Sequence, residues 1–357
     1  METKIVTASD ERRIPALQLL FRRFPLEEQE SRLRDALAAS ERGSLNLDHL
    51  LLAEVEGKCV GSALTMIQSD GVALIWPPVV DRGGDDPREI EDLLMQELCR
   101  RMDAASARLG QCLLAMDDDV EAAILTRHGF ERVTDMFFLA RPITPEDLIE
   151  GDLEREGRVL DEQRPCDLNQ NPEAPEICDP EDGSQDCQAK KYQQREIRKP
   201  KPAISFETYR SENAGRFARL VEATYQGSLD CPHLNGIRSG DEALLSHKLS
   251  GEFDPNCWLL YSLEGRDAGL ILLNDHSDQS AVELVYLGVA ADARGNGLGR
   301  AMLKEGFRQA AQRGRVVVFL AVDCQNHFAN ALYSEFDFTE LARRQVMLRQ
   351  PKALARQ

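Results

Sequence analysis

No run of this 357-residue chain stays apolar long enough to cross a bilayer as a helix. Its first ten residues, Met-Glu-Thr-Lys-Ile-Val-Thr-Ala-Ser-Asp, lack the basic-then-apolar order of a secretion signal. These two absences set the cytoplasm as the expected location. The nine cysteines are odd in number and irregular in spacing, which fits reduced thiols better than a disulfide framework. Around Cys166, Cys178 and Cys187 there is no C-x-x-C pair and no histidine, so a structural metal is not expected. Excess positive charge is also missing. The formal net charge is −18, and the one basic cluster, Lys190 to Lys201, contains a single aromatic, so nucleic acid is an unlikely partner.

Much of the negative charge is local. Between Glu146 and Asp186 there are 15 acids and 3 arginines, with Pro165, Pro172, Pro175 and Pro180 among them. Such a segment has too little apolar surface to offset its ordering entropy and reads as a flexible insert. The length exceeds that of one ordinary domain, and 42% hydrophobic residues suffice for two cores, one on each side of the insert.

Val285 to Leu303 reads as an apolar strand, a glycine loop, Arg294-Gly-Asn-Gly-Leu-Gly299, and a helix start. Glycines let successive amides turn inward, and the helix N-terminus adds a positive dipole end, so the loop suits a phosphate or pyrophosphate. Arg294 would add a cation at its lip. A dinucleotide fold would require a third glycine where Met302 stands, even though Asp323 lies near the place of a ribose-binding acid. A nucleotide-hydrolase loop would need Gly-Lys-Ser/Thr, which is missing. A flexible surface turn is the remaining reading of the loop on its own.

After a further strand, Arg315–Val322, the pattern N-x-x-A-x-x-L-Y runs from Asn326 through Ala329 and Leu332 to Tyr333. Asn326 is placed to cap a helix whose residue Leu332 faces the core. The pair of motifs resembles the GNAT acetyltransferase superfamily, whose acyl-CoA loop is Arg/Gln-x-x-Gly-x-Gly/Ala and whose later helix often reads the same way. The resemblance covers about residues 203–350. Ala203–Tyr209 alternates as a strand, Glu212–Thr224 and Asp241–Ser250 look helical, and Trp258–Leu263 with Ala268–Asn274 form a hairpin around Gly265. Asp337 stands before Phe338 where relatives usually carry glycine, and Asp tolerates the left-handed conformation that this cap needs.

The resemblance implies an α/β fold with a mixed sheet and acetyl-CoA as cosubstrate, without a metal. It implies an amine acceptor, small molecule or peptide, that attacks directly in a ternary complex. It places the cofactor against Leu287, Gly288, Val289, Arg294, Gly295, Asn296, Gly297, Leu298, Gly299, Arg300 and Asn326. Glu283, which interrupts an apolar strand, is the candidate base, and Tyr333 the candidate donor to the departing thiolate. Gly288 would let the strand distort so that a nearby amide meets the thioester oxygen. Among the histidines, His233 falls in a loop that borders the acceptor in similar enzymes, His276 reads as a polar turn tip, and His327 has no identifiable partner.

Residues 1–141 repeat this layout without its motifs. Leu51–Gly61 parallels Leu259–Gly269, and Leu114-Ala-Met-Asp117 parallels Leu320-Ala-Val-Asp323. The loop Gly83-Gly-Asp-Asp-Pro-Arg-Glu-Ile-Glu91 is acidic, and Leu125 stands where Tyr333 falls. The expected organisation is a degenerate GNAT-like domain over 1–141, an acidic insert over 142–202 and an acetyltransferase domain over 203–357. Two other functions fit the same motifs: an acyl-CoA sensor without turnover, and a scaffold that recruits a partner through its charged insert.

Overall fold

The computed structural model describes residues 2–350 except 44, 69, 82–85, 149–202 and 235. The acidic insert with its three cysteines, the basic cluster and the first residues of the loop at 83 lie outside the described residues. Each half of the chain lays down the same succession of elements. The first runs β1 (Lys4–Thr7), α1 (Asp10–Leu20), α2 (Leu26–Glu41), β2 (Leu50–Val55), β3 (Lys58–Ile67), β4 (Val72–Val80), α3 (Pro87–Ala104), β5 (Leu109–Ala115), α4 (Asp119–Arg127) and β6 (Glu131–Pro142). The second runs β7 (Ile204–Thr208), α5 (Ala214–Tyr225), α6 (Gly240–Lys248), β8 (Glu252–Leu263), β9 (Arg266–His276), β10 (Ala281–Val289), α7 (Leu298–Gln312), β11 (Val317–Asp323), α8 (His327–Glu335) and β12 (Thr339–Arg349).

Local sequence accounts for most of these elements. The hairpins β2–β3 and β8–β9 close through Glu56-Gly57 and Glu264-Gly265, each pair left-handed with φ of 51° and 76°. Two consecutive left-handed residues give the turn whose twist matches that of the strands it joins. In α5 the buried residues Phe217, Leu220, Val221 and Thr224 recur at helical spacing, and this stripe packs onto the sheet. The second half's core gathers α5, α7 and both faces of β8 and β9, with Trp258 and Tyr261 fully buried.

All twelve strands form one sheet, in the order β1-β2-β3-β4-β5-β12-β6-β11-β10-β9-β8-β7. The two halves exchange their last strands. β6 leaves the first half to pair antiparallel with β11, setting Phe319 against Ala140, while β12 returns to pair antiparallel with β5, setting Val346 against Leu113. At the centre β6 and β12 pair with each other. Ion pairs cross the same seam: Arg108 makes a two-pronged contact with Glu242 at 2.7 Å, and Arg238 reaches the buried Asp70 at 3.1 Å. The Arg108 guanidinium holds the Glu242 carboxyl down at about 2.

Without its partner, residues 203–357 would leave the edge of β11 unpaired and β12 without β5, an open template for association. Expressed alone, this half should therefore elute as a dimer or larger species, whereas the intact chain has no such edge at the seam. Size-exclusion chromatography with light scattering checks this, and a stable monomeric half would contradict it.

Candidate active site

The site begins where two parallel strands separate. β10 pairs with β11 only at Ala281–Val317, Val282–Val318 and Glu283–Phe319, yet on its other edge it stays paired with β9 through Val289. From Leu284 to Val289 the edge that faces β11 has no ladder partner, and a cleft opens there. The accompanying bulge lies at Val285, between Leu284 and Tyr286, and not at Gly288 as the sequence suggests. Gly288 serves packing instead. A Cβ there would stand 2.7 Å from the Tyr286 ring and 2.8 Å from Thr224 Oγ1, so only glycine lets α5 lie this close to the strand.

On one side of the parting, a cavity of about 580 Å³ runs along the free edge of β10 to the glycine loop. Gly295 and Gly297 adopt left-handed φ of 82° and 78°, and a Cβ on either would meet nothing within 4 Å. Conformation, and not crowding, requires glycine at both. Gly297 caps α7, and Ala301 is the first amide to bond back along it, to Gly297 O at 3.2 Å. The preceding first-turn amides are thus left for an anion, which the helix dipole favours. Gly299 acts differently. A Cβ there would lie 3.1 Å from Leu332, so the missing side chain allows α7 to approach α8.

Arg294 is not the free cation expected at the lip. Its guanidinium donates to the carbonyls of Val289 at 3.1 Å, Gly227 at 3.1 Å, and Thr224 and Gln226 at 2.9 Å each. It ties the C-terminus of α5 to the loop and leaves the anion to the backbone. Asn296 braces the loop through Nδ2 to Ala293 O at 3.1 Å, and Leu298 is buried in the core. Arg300 is paired with Glu335 across the rim, at 2.5 and 2.7 Å. Leu287, Gly288 and Val289 line the cavity beside Asn326 and Tyr333.

Asn326 caps α8 by accepting the Ala329 amide at 3.2 Å. Asp337 takes φ of 59°, and Phe338 N–H closes on Tyr333 O at 3.1 Å, so the aspartate does hold the left-handed cap. Tyr333 is buried, with its ring edge-on to Phe338 at 5.4 Å. Burial, with Asp230 nearby, pushes its phenol above the usual value. A phenol less acidic than a thiol supports a departing sulfur as a hydrogen-bond donor better than as a full proton donor.

On the other side, a cavity of about 520 Å³ is walled by both halves: Gln68, Asp70 and Gln111 from the first, and Arg238, His247 and Glu283 from the second. The two cavities meet at Tyr225, Asp230, Leu284, Val285, Tyr286 and Ala321. Glu283 lines only the second cavity. Its Oε2 accepts from Ser250 Oγ at 2.6 Å and lies 3.0 Å from His276 Nε2, so His276 is a partner of the candidate base and not merely a turn tip. The β9–β10 register sets His276 beside Ala281, two residues from Glu283, which is the signal that hairpin reading could have supplied. His233 borders this cavity as expected, while His327 only stacks on Phe328. His247 Nε2 is shut away from solvent without a hydrogen-bond partner, and burial lowers its imidazole to about 3.

The acetyltransferase (GNAT) family model matches residues 223–338. The match spans about a third of the chain and takes in both the glycine loop and the helix from Asn326 to Tyr333. Mycothiol acetyltransferase from Streptomyces bingchenggensis is 31% identical over 143 residues, 40% of this chain and 42% of that protein. The chain thus spans about two fifths of the length of this relative. The enzyme of the same name from Stackebrandtia nassauensis is 27% identical over 316 residues, covering 86% of this chain and 83% of the relative. Among solved structures, a GCN5-related N-acetyltransferase from Sphaerobacter thermophilus shares the fold with a TM-score of 0.55 at 19% identity, over 98% of this chain and 95% of that one.

The first half keeps the same succession of elements but closes its own cleft. β4 parts from β5 after Leu74, the counterpart of Glu283, and then places Pro77 and Pro78 where β10 has Tyr286 and Leu287. Prolines have no N–H to offer, and the half-buried guanidinium of Arg23 donates to Pro77 O. At the α3 N-terminus, the Asp86 carboxylate accepts the amides of Arg88 and Glu89 at 3.1 Å each. An internal carboxylate already occupies the anion position of that helix. Leu125, at the place of Tyr333, is fully buried.

Calorimetric titration should accordingly give one acetyl-CoA per chain. Gly297→Val should weaken that binding about tenfold or more, a cost of roughly 1.4 kcal/mol, because a branched residue disfavours the left-handed cap. A stoichiometry near two, or an unchanged affinity, would contradict the assignment. His247 gives a separate test. Its folded value near 3 lies below the unfolded ~6.5, so the unfolded chain binds the extra proton between them and stability falls as pH drops below 6.5. Denaturant titrations from pH 7 to 5 should show a slope that steepens below pH ~6.5 toward a limit of about 1.4 kcal/mol per pH unit from this group, and His247→Gln should flatten it.

Proposed function

We propose that this chain moves an acetyl group from acetyl-CoA to a primary amine by direct attack in a ternary complex. The observation that carries this reading is the junction of the two cavities at the parted strands. One cavity offers an amide cradle and a free strand edge, and the other offers carboxylates and neutral hydrogen-bonding groups. Acetyl-CoA supplies an activated acyl group and a thiolate leaving group. The first-turn amides of α7 hold the pyrophosphate, and the free edge of β10 around Leu287–Val289 aligns the arm and faces the acyl oxygen. Tyr333 donates a hydrogen bond to the departing sulfur. A carboxylate of the acceptor cavity takes the amine's proton, with Glu283 the candidate from sequence and Asp230 a second within reach.

The acceptor cavity needs the first half for a wall, so that half contributes to amine recognition without a cofactor site of its own. Asp70, Asp230 and Glu283 line the cavity against one arginine, Arg238, which is paired with Asp70, so it fits a cationic, hydroxyl-bearing amine better than an acidic one. The names of the relatives make non-acetylated mycothiol the first acceptor to offer, beside glucosamine, cysteamine, spermidine and a lysine peptide.

Thiol release from acetyl-CoA with that panel tests the reading. Acetyl-CoA binding without turnover of any amine would favour the sensor. For an accepted amine, Tyr333→Phe should lower kcat by about 10²-fold or less while acetyl-CoA affinity is nearly kept. Full kcat in this variant would leave Tyr333 a packing role only.

A further inference from the structure

Asp230, in the loop after α5, is the carboxylate that lines both cavities. Glu283 lies on the acceptor side alone and is engaged by Ser250 and His276. An amine entering from the acceptor cavity must come through the shared mouth to meet an acyl group held in the other, and Asp230 faces that mouth. Tyr333 from α8, Tyr225 from α5, Tyr286 from β10, Asp323 from β11, and Cys231 and Arg238 from its own loop surround it. The only carboxylate among them is Asp323, whose oxygens are already occupied: Oδ1 accepts from Thr134 Oγ1 at 2.6 Å and Gln325 N at 2.8 Å, and Oδ2 from Cys231 N at 3.1 Å.

The loop is built to hold Asp230 at this place. Cys231 sits at φ of 41°, a left-handed conformation costly for a residue with a side chain, and the Asp323 carboxylate fixes it by taking its amide. Asp323 returns its own amide to Asp230 Oδ1 at 3.1 Å. Thr134 belongs to β6 of the first half, so the strand exchange anchors this clamp.

We infer that Asp230, more than Glu283, is the carboxylate that meets the attacking amine and takes its proton. The inference rests on the acetyl-transfer reading. An N–H proton passes to Asp230, the nitrogen pair forms the C–N bond, and the C–S pair leaves on sulfur, which Tyr333 supports. The proton on Asp230 then returns to the sulfur by way of the Tyr333 hydroxyl or solvent, so the net products are an acetamide and a free thiol. Burial raises the Asp230 carboxyl above the usual aspartate range, against hydrogen bonds from the Asp323 amide and the Asn326 side chain, toward the pH at which a base is effective.

Asp230→Asn and Glu283→Gln in the full chain decide this, with the best amine of the panel as acceptor. Asparagine keeps an oxygen for the Asp323 amide, and a thermal melt checks folding; Asp230→Glu, which retains a titrating group, serves should asparagine not fold. Asp230→Asn should bind acetyl-CoA within about twofold of the wild type, lower kcat by about 10²-fold or more, and lose the acidic limb of the kcat–pH profile. Glu283→Gln should keep that limb. Independently of turnover, carbon-13 NMR of aspartate-labelled free protein should show one resonance that titrates above the usual aspartate range and disappears in Asp230→Asn. Loss of the limb in Glu283→Gln alone, near-wild-type kcat in Asp230→Asn, or no such resonance would overturn the inference. Failure of the wild type to bind acetyl-CoA would instead remove the reading on which it rests.

Discussion

The parting of β10 from β11 after Glu283 is the constraint on which the site depends. Two parallel strands that diverge leave main-chain groups without partners, and such groups are tolerated inside a protein only where something else can satisfy them. Here the unladdered edge from Leu284 to Val289 runs along a cavity that ends in the first-turn amides of α7. At the same divergence a second cavity meets the first, along Leu284, Val285 and Tyr286. One local failure of sheet pairing therefore borders both cavities and the point where they join.

What keeps the strands apart comes largely from the exchange between halves. β11 is held on its far edge by β6 of the first half over seven registered positions, and Asp323 at its end gathers Thr134, Cys231 and Gln325. A fully buried carboxylate is costly unless its oxygens are satisfied, and here several donors converge on it. In the first half the corresponding strand edge and helix start are occupied from within: Pro77 and Pro78 lack N–H groups, Arg23 takes the Pro77 carbonyl and Asp86 takes two first-turn amides of α3. The first half's contribution is a sheet edge, a clamp on the Asp230 loop and a wall of the second cavity.

The motifs around Gly297 and Tyr333 are legible in the sequence because they are local. A left-handed glycine before a helix, an asparagine cap and an aspartate in a left-handed C-cap all act within a few residues, and each is found where the chain pattern puts it. The role of Arg294 is not legible, because a free arginine and one bonded to four carbonyls are spelled the same way; the carbonyls come from residues 60 or more positions away in three cases. Gly288 reads in the sequence as a point of distortion, whereas it is contact with Thr224 that requires it.

By itself the sequence determined the order of helices and strands, the repeat of one layout in two halves, the amide cradle and the tyrosine helix, since these follow from periodicity, capping and turn chemistry over short distances. Only the tertiary structure decided which strand neighbours which. β6 and β12 have similar length and place in their halves, so nothing local distinguishes pairing at home from pairing across the seam. The inter-half walls of the second cavity and the clamp that holds Asp230 at the shared mouth follow from that choice, because they join residues that only the assembled sheet brings together.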